Sequence, residues 1–212
     1  MDTEKLRRYT LLAQQTIYSE EDEGNFHNVL IPEMVKRYFP NELPKEAMIV
    51  DIGCGPGVFA ENMRGKGYEN VVGVTMSGED YRACLAKGLP TLHCDMTDIP
   101  LPDHLTGMVW CRHALEHSPY PLLTLFEFNR LLANGGALYV EVPAPDGQRN
   151  HEANPNHYSV LGVRMWASLF KRAGFEILRS DTTNVNLTFP QGPVVESYLC
   201  FLLRKSVDIL HA

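Results

Sequence analysis

Three residues that can carry chemistry lie within one short segment of the chain. His113, Glu116 and His117 are spaced i, i+3 and i+4, and on a helical turn this spacing places all three side chains on one face. Imidazole and carboxylate groups together can hold a divalent metal ion, and either group can act as a general acid or base. The segment therefore predicts a reactive centre at these three positions.

A second segment has the composition of a ligand-binding loop. Residues 51–57 read Asp-Ile-Gly-Cys-Gly-Pro-Gly and follow an apolar run that predicts a buried strand. Glycines at such a strand-to-helix turn permit a tight backbone and let a ligand lie directly against it. A dinucleotide-binding loop would carry its third glycine at Val58 and an acid about twenty residues later, where this chain has Thr75. NAD and FAD are therefore disfavoured.

The elements that must position these segments follow an alternating pattern. Two amphipathic helices are predicted first, over residues 3–18 and 25–39. Short apolar strands then alternate with helical segments, which predicts a doubly wound, mostly parallel sheet. The strands are predicted at 48–52, 71–74, 91–94, 108–111, 138–142, 175–179 and 194–203. The last two have no helix between them, which predicts an antiparallel pair joined by a loop that includes residues 183–193. Gly135-Gly136 is expected to end the helix before the fifth strand.

Composition and charge exclude several classes of protein. The 212 residues, 44% of them hydrophobic, predict one compact globular domain. The 26 acidic residues outnumber the 19 scattered basic ones, so neither duplex nucleic acid nor a membrane surface is expected as a partner. Five widely spaced cysteines are typical of free thiols, and they favour a reducing, cytoplasmic location.

The glycine loop and four later segments resemble class I S-adenosylmethionine (SAM)-dependent methyltransferases. The later segments are Asp95-Met96, Leu115-Glu116-His117, residues 131–138 and residues 173–176, and the resemblance spans 47–180. It implies a Rossmann-like sheet of strand order 3-2-1-4-5-7-6 in residues 45–212, with residues 1–44 as a helical appendage or lid. It implies SAM as the cofactor, bound by Asp51, Gly53, Cys54, Gly55, Gly57, Thr75, Asp80, Asp95 and Met96.

Two of these cofactor assignments depart from the usual family pattern. Thr75 stands where most relatives have an acid for the ribose hydroxyls, and Asp80 is expected to take over that role. The carboxylate of Asp95 is expected to meet the adenine amine, and Asp51 the methionine amine.

The histidine segment is similar to a metal-binding turn of two methyltransferase groups. Small-RNA 2′-O-methyltransferases and ubiquinone-pathway O-methyltransferases carry Glu-x-x-Glu-His, and here His113 replaces the first Glu. The small-RNA enzymes add a histidine after the fifth strand, at a place that His157 matches. The resemblance implies a metal site of His113, Glu116, His117 and His157, and imidazole ligands favour Mn, Fe or Zn over Mg.

The sequence as a whole predicts a methyltransferase acting on the hydroxyl of a small polar metabolite or glycan. His117, His113 and Glu116 are its candidate catalytic residues, with or without the metal. Three alternatives stay open: methylation of an RNA terminus, a zinc metallopeptidase using His-x-x-Glu-His, and a non-catalytic ligand-binding module.

Overall fold

The computed structural model describes residues 3–15, 26–189 and 192–210. Its six helices are α1 (Thr3–Gln15), α2 (Phe26–Tyr38), α3 (Val58–Gly65), α4 (Gly78–Ala86), α5 (Pro121–Leu131) and α6 (Val163–Arg172). The strands are β1 (Ile49–Ile52), β2 (Val71–Thr75), β3 (Thr91–His93), β4 (Thr106–Arg112), β5 (Leu132–Pro143), β6 (Phe175–Phe189) and β7 (Gly192–Lys205). No described helix is long and apolar enough to span a membrane.

The seven strands form one sheet in the predicted order, β3-β2-β1-β4-β5-β7-β6. The first five are parallel, and β7 is antiparallel to both β5 and β6. The chain leaves β1 towards β2 on one side and later places β4 on the other. Because strand order reverses at β1, a crevice opens beyond the carboxyl ends of β1 and β4.

Apolar side chains cover both faces of this sheet. All four residues of β1 are buried, as expected for a parallel strand with helices on either side. On one face, a row of stacked rings joins Phe59, Trp110, Tyr139 and Tyr38, with centroids 4.1 to 5.0 Å apart. Tyr38 belongs to α2, so this helix packs into the same core as the central strands.

Two local predictions were wrong. Gly135-Gly136 does not end α5, which stops at Leu131; both glycines lie within β5, where Gly135 adopts φ +78° beside a register shift. Residues 183–193, predicted as a loop, largely extend β6 and β7. The alternation of Val185 and Leu187 with polar neighbours is a strand pattern, and it pairs with residues 194–196 across the hairpin.

Candidate active site

The glycine loop joins β1 to α3 and is held by backbone hydrogen bonds. The amides of Gly53 and Cys54 donate to the carbonyl of Val74 at 2.9 and 3.1 Å. Gly53 has φ +68°, and a Cβ there would lie 2.6 Å from that of Ala114. Gly55 has φ +50°, and a Cβ there would point into open space. The loop is therefore a backbone cradle that a ligand can approach closely.

Asp51, at the end of β1, has an unsatisfied oxygen at this cradle. Its side chain is 4% exposed, and Oδ2 has no hydrogen-bond partner among the described residues. Burial raises the pKa of Asp51, an effect that the charge of Arg112 opposes only in part. A buried carboxylate oxygen without a donor is costly, so this position fits a ligand that brings an ammonium group.

A cavity of about 550 Å³, here called the strand-end cavity, lies beyond the carboxyl ends of β1 and β2. Thr75, Asp80, Asp95 and Met96 line it, and Thr10 and Ala13 of α1 line its other side. Asp95 accepts hydrogen bonds at Oδ1 from the amide and hydroxyl of Thr97, at 2.7 and 2.6 Å. These bonds fix the carboxylate in the cavity wall.

The second strand ends in a turn that orients Asp80. The hydroxyl oxygen of Thr75 accepts from the Ser77 amide at 3.0 Å, and Ser77 Oγ caps α4 by accepting from the Asp80 amide at 3.2 Å. The Thr75 hydroxyl is therefore engaged in the turn, and Thr75 and Asp80 both line the two cavities of the site. Burial raises the pKa of Asp80.

A second cavity of about 340 Å³, the histidine cavity, adjoins the first and shares with it Gly53, Thr75, Asp80, His113 and His117. Asp51, Cys54 and Gly55 of the glycine loop line the histidine cavity rather than the strand-end cavity. The polar lining of the histidine cavity includes Arg112, Glu116, Arg149, His151, Asn154 and His157. Asn28 and Ile31 of α2 form part of the opposite wall.

The expected single helical face of His113, Glu116 and His117 is not formed. Only Leu115–His117 makes a short 3-10 turn, and His113 precedes it with φ +51°. His113 therefore turns towards β5, where its Nε2 lies 2.8 Å from Glu141 Oε1, while Nδ1 lies 3.7 Å from Glu116 Oε1. Burial lowers the pKa of His113, but the two carboxylates outweigh it and the net shift is upward.

Three of the four predicted metal ligands converge. One donor atom from each of Glu116, His117 and His157 lies within 4.8 Å of the others. The carbonyl of Asn156 lies 3.1 Å from His117 Nδ1, and that of His151 lies 3.0 Å from His157 Nδ1. A carbonyl only accepts, so in the neutral form of each ring Nδ1 carries the proton and Nε2 carries the lone pair.

Glu116 completes this group with a buried carboxylate. It is 2% exposed, and its Oε2 has no hydrogen-bond partner among the described residues. Burial works to raise the pKa of Glu116, but the hydrogen bond from His113 and the charge of His117 lower it overall. Two imidazoles and an ionised carboxylate are a donor set that fits a borderline divalent ion.

Two buried glutamates that sequence reasoning missed stand behind the histidine cavity. Glu141 accepts from Arg112 Nε at 2.9 Å, and Glu196 lies 2.8 Å from His151 Nε2 and 3.5 Å from Arg149 Nε. Burial would raise the pKa of Glu141, but His113 and Arg112 lower it to about 2. The signal was present: each is a lone acid within an apolar strand segment.

The residues predicted to bind the cofactor lie around the two cavities. All of them line one or both cavities except Gly57, where an added Cβ would collide with the side chains of Leu89 and Cys84. His113 lies in the wall of both cavities but outside the converging donor group.

Comparison with known proteins identifies the family. A family profile described as a methyltransferase domain matches residues 26–180. The chain therefore belongs to the class I SAM-dependent methyltransferases. The peptidase alternative loses its support, because the His-x-x-Glu-His residues lie on a strand end and a 3-10 turn within this domain.

Curated relatives include two kinds of methyltransferase. The chain is 28% identical over 171 residues to a tRNA U34 carboxymethyltransferase of Pseudomonas aeruginosa, covering 72% of this chain and 52% of that protein. It is 24% identical over 147 residues to a ubiquinone biosynthesis O-methyltransferase of Nitrosomonas europaea, covering 62% and 56%. The chain thus spans about half the length of the curated relatives it matches.

Solved structures share the fold at low sequence identity. A protein of Bacillus halodurans superimposes with a TM-score of 0.72 at 16% identity, covering 84% of this chain and 99% of that one. A SAM-dependent methyltransferase of Methanosarcina mazei gives 0.64 at 15% identity, covering 82% and 97%. These similarities establish the sheet architecture.

Proposed function

We propose that this protein transfers the methyl group of SAM to a hydroxyl oxygen of a small polar acceptor. One observation carries the proposal. The donor atoms of Glu116, His117 and His157 converge, and His117 lines both the strand-end cavity and the histidine cavity. A proton-accepting group therefore stands at the junction of the two, where a cofactor in one would meet an acceptor in the other.

The strand-end cavity and the glycine-loop side of the histidine cavity form the proposed SAM site. The Gly55 backbone offers close approach, the unsatisfied Asp51 oxygen fits the methionine ammonium, and Asp80 and Asp95 fit the ribose hydroxyls and adenine amine. When bound, SAM supplies a methyl group activated for displacement by its sulfonium. This chain contributes to that step by aligning the two reactants. Alignment can lower the activation free energy by about 7 kcal/mol.

The part of the histidine cavity lined by the two arginines, His151, Asn154 and His157 is the proposed acceptor site, and its charges favour a neutral polar molecule. Both arginines in its wall lie against buried glutamates, Arg112 at 2.9 Å from Glu141 and Arg149 at 3.5 Å from Glu196. Such paired guanidinium groups offer hydrogen-bond donors with little net positive charge. With Asn28 and Asn154 nearby, the wall suits the hydroxyl groups of a polar metabolite or sugar.

The hydroxyl proton must leave during transfer, and His117 is placed to accept it. Its Nδ1 proton is held by the Asn156 carbonyl, so Nε2 bears the lone pair that can act as the base. The neighbouring Glu116 carboxylate would stabilise the imidazolium that results.

A divalent metal held by the same group would take the place of His117 as base, because the single Nε2 lone pair cannot both bind an ion and accept the proton. Glu116, His117 and His157 would hold it, with Mn, Fe or Zn favoured over Mg because two of the three donors are imidazoles. Bound there, the ion would act as a Lewis acid that lowers the pKa of the acceptor hydroxyl.

The methylated product can be identified directly. Purified protein is incubated with methyl-labelled SAM and a metabolite extract, and labelled products are detected by mass spectrometry. We expect a labelled methyl ether from wild-type protein, at least 100-fold less from His117→Ala, and wild-type amounts from the exposed control His93→Gln. Label on nitrogen or carbon, or unchanged transfer by His117→Ala, would contradict the proposal.

The metal is tested separately by elemental analysis of protein purified without a histidine tag or chelator. We expect near-stoichiometric metal in wild-type protein, lost in His117→Ala and His157→Ala. His113→Ala should retain it, since both ring nitrogens of His113 face carboxylates. If the purified protein contains no metal and chelators do not reduce its turnover, the metal proposal is wrong and His117 acts as a base without a metal.

An RNA acceptor is a second candidate, favoured only by the relatives named as tRNA carboxymethyltransferases. The net charge of −7 opposes it, because nucleic acid binding draws on clustered basic residues. A parallel incubation with total tRNA decides between the two, as label would then appear in nuclease-released nucleosides.

A further inference from the structure

The hairpin of β6 and β7 extends past its neighbour in the sheet. β5 pairs with β7 only as far as Pro143 opposite Tyr198, whereas β7 begins at Gly192 and β6 runs on to Phe189. This two-stranded extension lies alongside the segment 144–157, which connects β5 to the histidines of the site. The extension therefore packs beside segment 144–157 instead of beside another strand.

Three consecutive residues of β7 hold that segment. The carbonyl of Ser197 accepts from the Ala144 amide at 2.9 Å. The amide of Val195 donates to Gln148 Oε1 at 3.0 Å. Between them, Glu196 Oε1 lies 2.8 Å from His151 Nε2. These backbone and side-chain contacts are distributed from Ala144 to His151, so β7 holds this part of the segment in place.

Glu196 is the costly member of this set. It is 1% exposed, although the hairpin residues before it are exposed or half-buried. Its ion-pair partners His151 and Arg149 both belong to segment 144–157. A buried carboxylate costs several kcal/mol unless it is paired, so packing of the hairpin alone does not explain an acid at position 196. The ion pairs with segment 144–157 explain it.

From Glu196 a continuous set of contacts leads to the proposed metal and base group. The ring of His151 stacks on that of His157, with centroids 5.2 Å apart and planes at 18°. The His151 carbonyl accepts from His157 Nδ1 at 3.0 Å. The ring of His157 then meets that of His117 edge-on at 4.9 Å. Orienting His151 thus orients His157.

We infer that Glu196 is a positioning residue for the histidine cavity: from the edge hairpin it fixes His151, and through His151 it sets the ring orientation of His157 beside His117 and Glu116. The inference rests on the proposed function for its effect on turnover. Its structural part stands independently. It also gives the hairpin extension a role in the acceptor site.

The structural part is tested by long-range ¹H–¹⁵N spectra of histidine-labelled protein. In the wild type we expect His157 as the Nδ1–H tautomer. Glu196→Ala should shift the ring signals of both His151 and His157, whereas Glu196→Gln, whose amide oxygen still accepts from His151, should keep His157 near its wild-type position. The control Glu176→Gln, an exposed partner of Arg204 at the same sheet edge, should move neither.

Two outcomes overturn the inference. One is a Glu196→Ala spectrum in which only His151 moves while His157 and His117 keep their wild-type signals. The other is an equal His157 shift in Glu196→Gln and Glu196→Ala, which would make the effect one of charge rather than of position. If Glu196→Ala does not fold, His151→Leu removes the same stacked ring and is judged by the same His157 signals.

Turnover adds a second readout. Loss of an outer residue that orients a ligand commonly costs 10- to 100-fold, so kcat should fall about that much in Glu196→Ala. The affinity for S-adenosylhomocysteine should stay within twofold, because Glu196 lies outside the strand-end cavity. Absence of methyl transfer by wild-type protein would refute the proposed function and leave the spectral test unaffected.

Discussion

Substitution of Asp51 is expected to affect ligand binding and folding stability in opposite directions. Its Oδ2 is buried without a partner among the described residues, and burial raises its pKa. The folded protein therefore holds this proton more tightly than the unfolded chain does. For such an acid, stability is present below the ordinary pKa and is lost as pH rises towards the folded value. As the pH rises, ionisation of this buried side chain therefore weakens the protein that has no ligand.

The change Asp51→Asn keeps the shape and removes the charge. The free energy of unfolding without ligand should stay equal or increase at neutral pH, because a buried carboxylate is replaced by an amide. Binding of S-adenosylhomocysteine should weaken, since a hydrogen bond to a charged group contributes about 1.5–3 kcal/mol. At 1.4 kcal/mol per factor of ten, the Kd should rise about 10- to 100-fold.

Calorimetric titration with S-adenosylhomocysteine and urea unfolding, run on the same preparations, measure the two effects. Asp98→Asn is the matched control, because Asp98 is an exposed acid near the strand-end cavity that does not line it. A Kd within twofold of wild type would refute the ammonium contact. Weaker binding accompanied by a clear loss of stability would make Asp51 a structural residue.

Two further substitutions and one cleavage assay test other parts of the site. Gly55→Val, at φ +50°, should abolish S-adenosylhomocysteine binding in calorimetry while Gly65→Ala, in a helix with open space around it, leaves it unchanged. Glu141→Gln should lower the free energy of unfolding at neutral pH by about 3–5 kcal/mol, because Arg112 and His113 stay buried without their carboxylate. The pKa of Glu141 near 2 also predicts that wild-type stability falls as pH drops from about 4.5 to 2, a loss that urea titrations should find smaller in Glu141→Gln. Incubation with zinc and casein should give no cleavage, and cleavage that depends on Glu116 would revive the peptidase reading.

Much of the fold could be predicted because its signals are local. Buried strands alternating with helices define a parallel sheet wherever they occur, and the strand order then followed from the resemblance of the glycine loop and Asp95-Met96 to a known family. The two errors have local causes as well. Gly135-Gly136 is an ordinary helix stop, and only pairing with β4 draws it into β5. The alternation in residues 183–189 is short and weakly apolar, and only its partner across the hairpin makes it a strand.

The sequence by itself determined which residue types meet at the site, because the carboxyl ends of parallel strands share one edge of the sheet. It placed Asp51, Asp95 and His117 there from their distance to each strand end. The division of roles among the histidines depended on tertiary structure. His113 adopts a left-handed backbone and turns to Glu141, His157 arrives on a segment held by Glu196, and both glutamates lie on strands far along the chain. No spacing rule links such positions, since side-chain direction there is set by packing between distant segments.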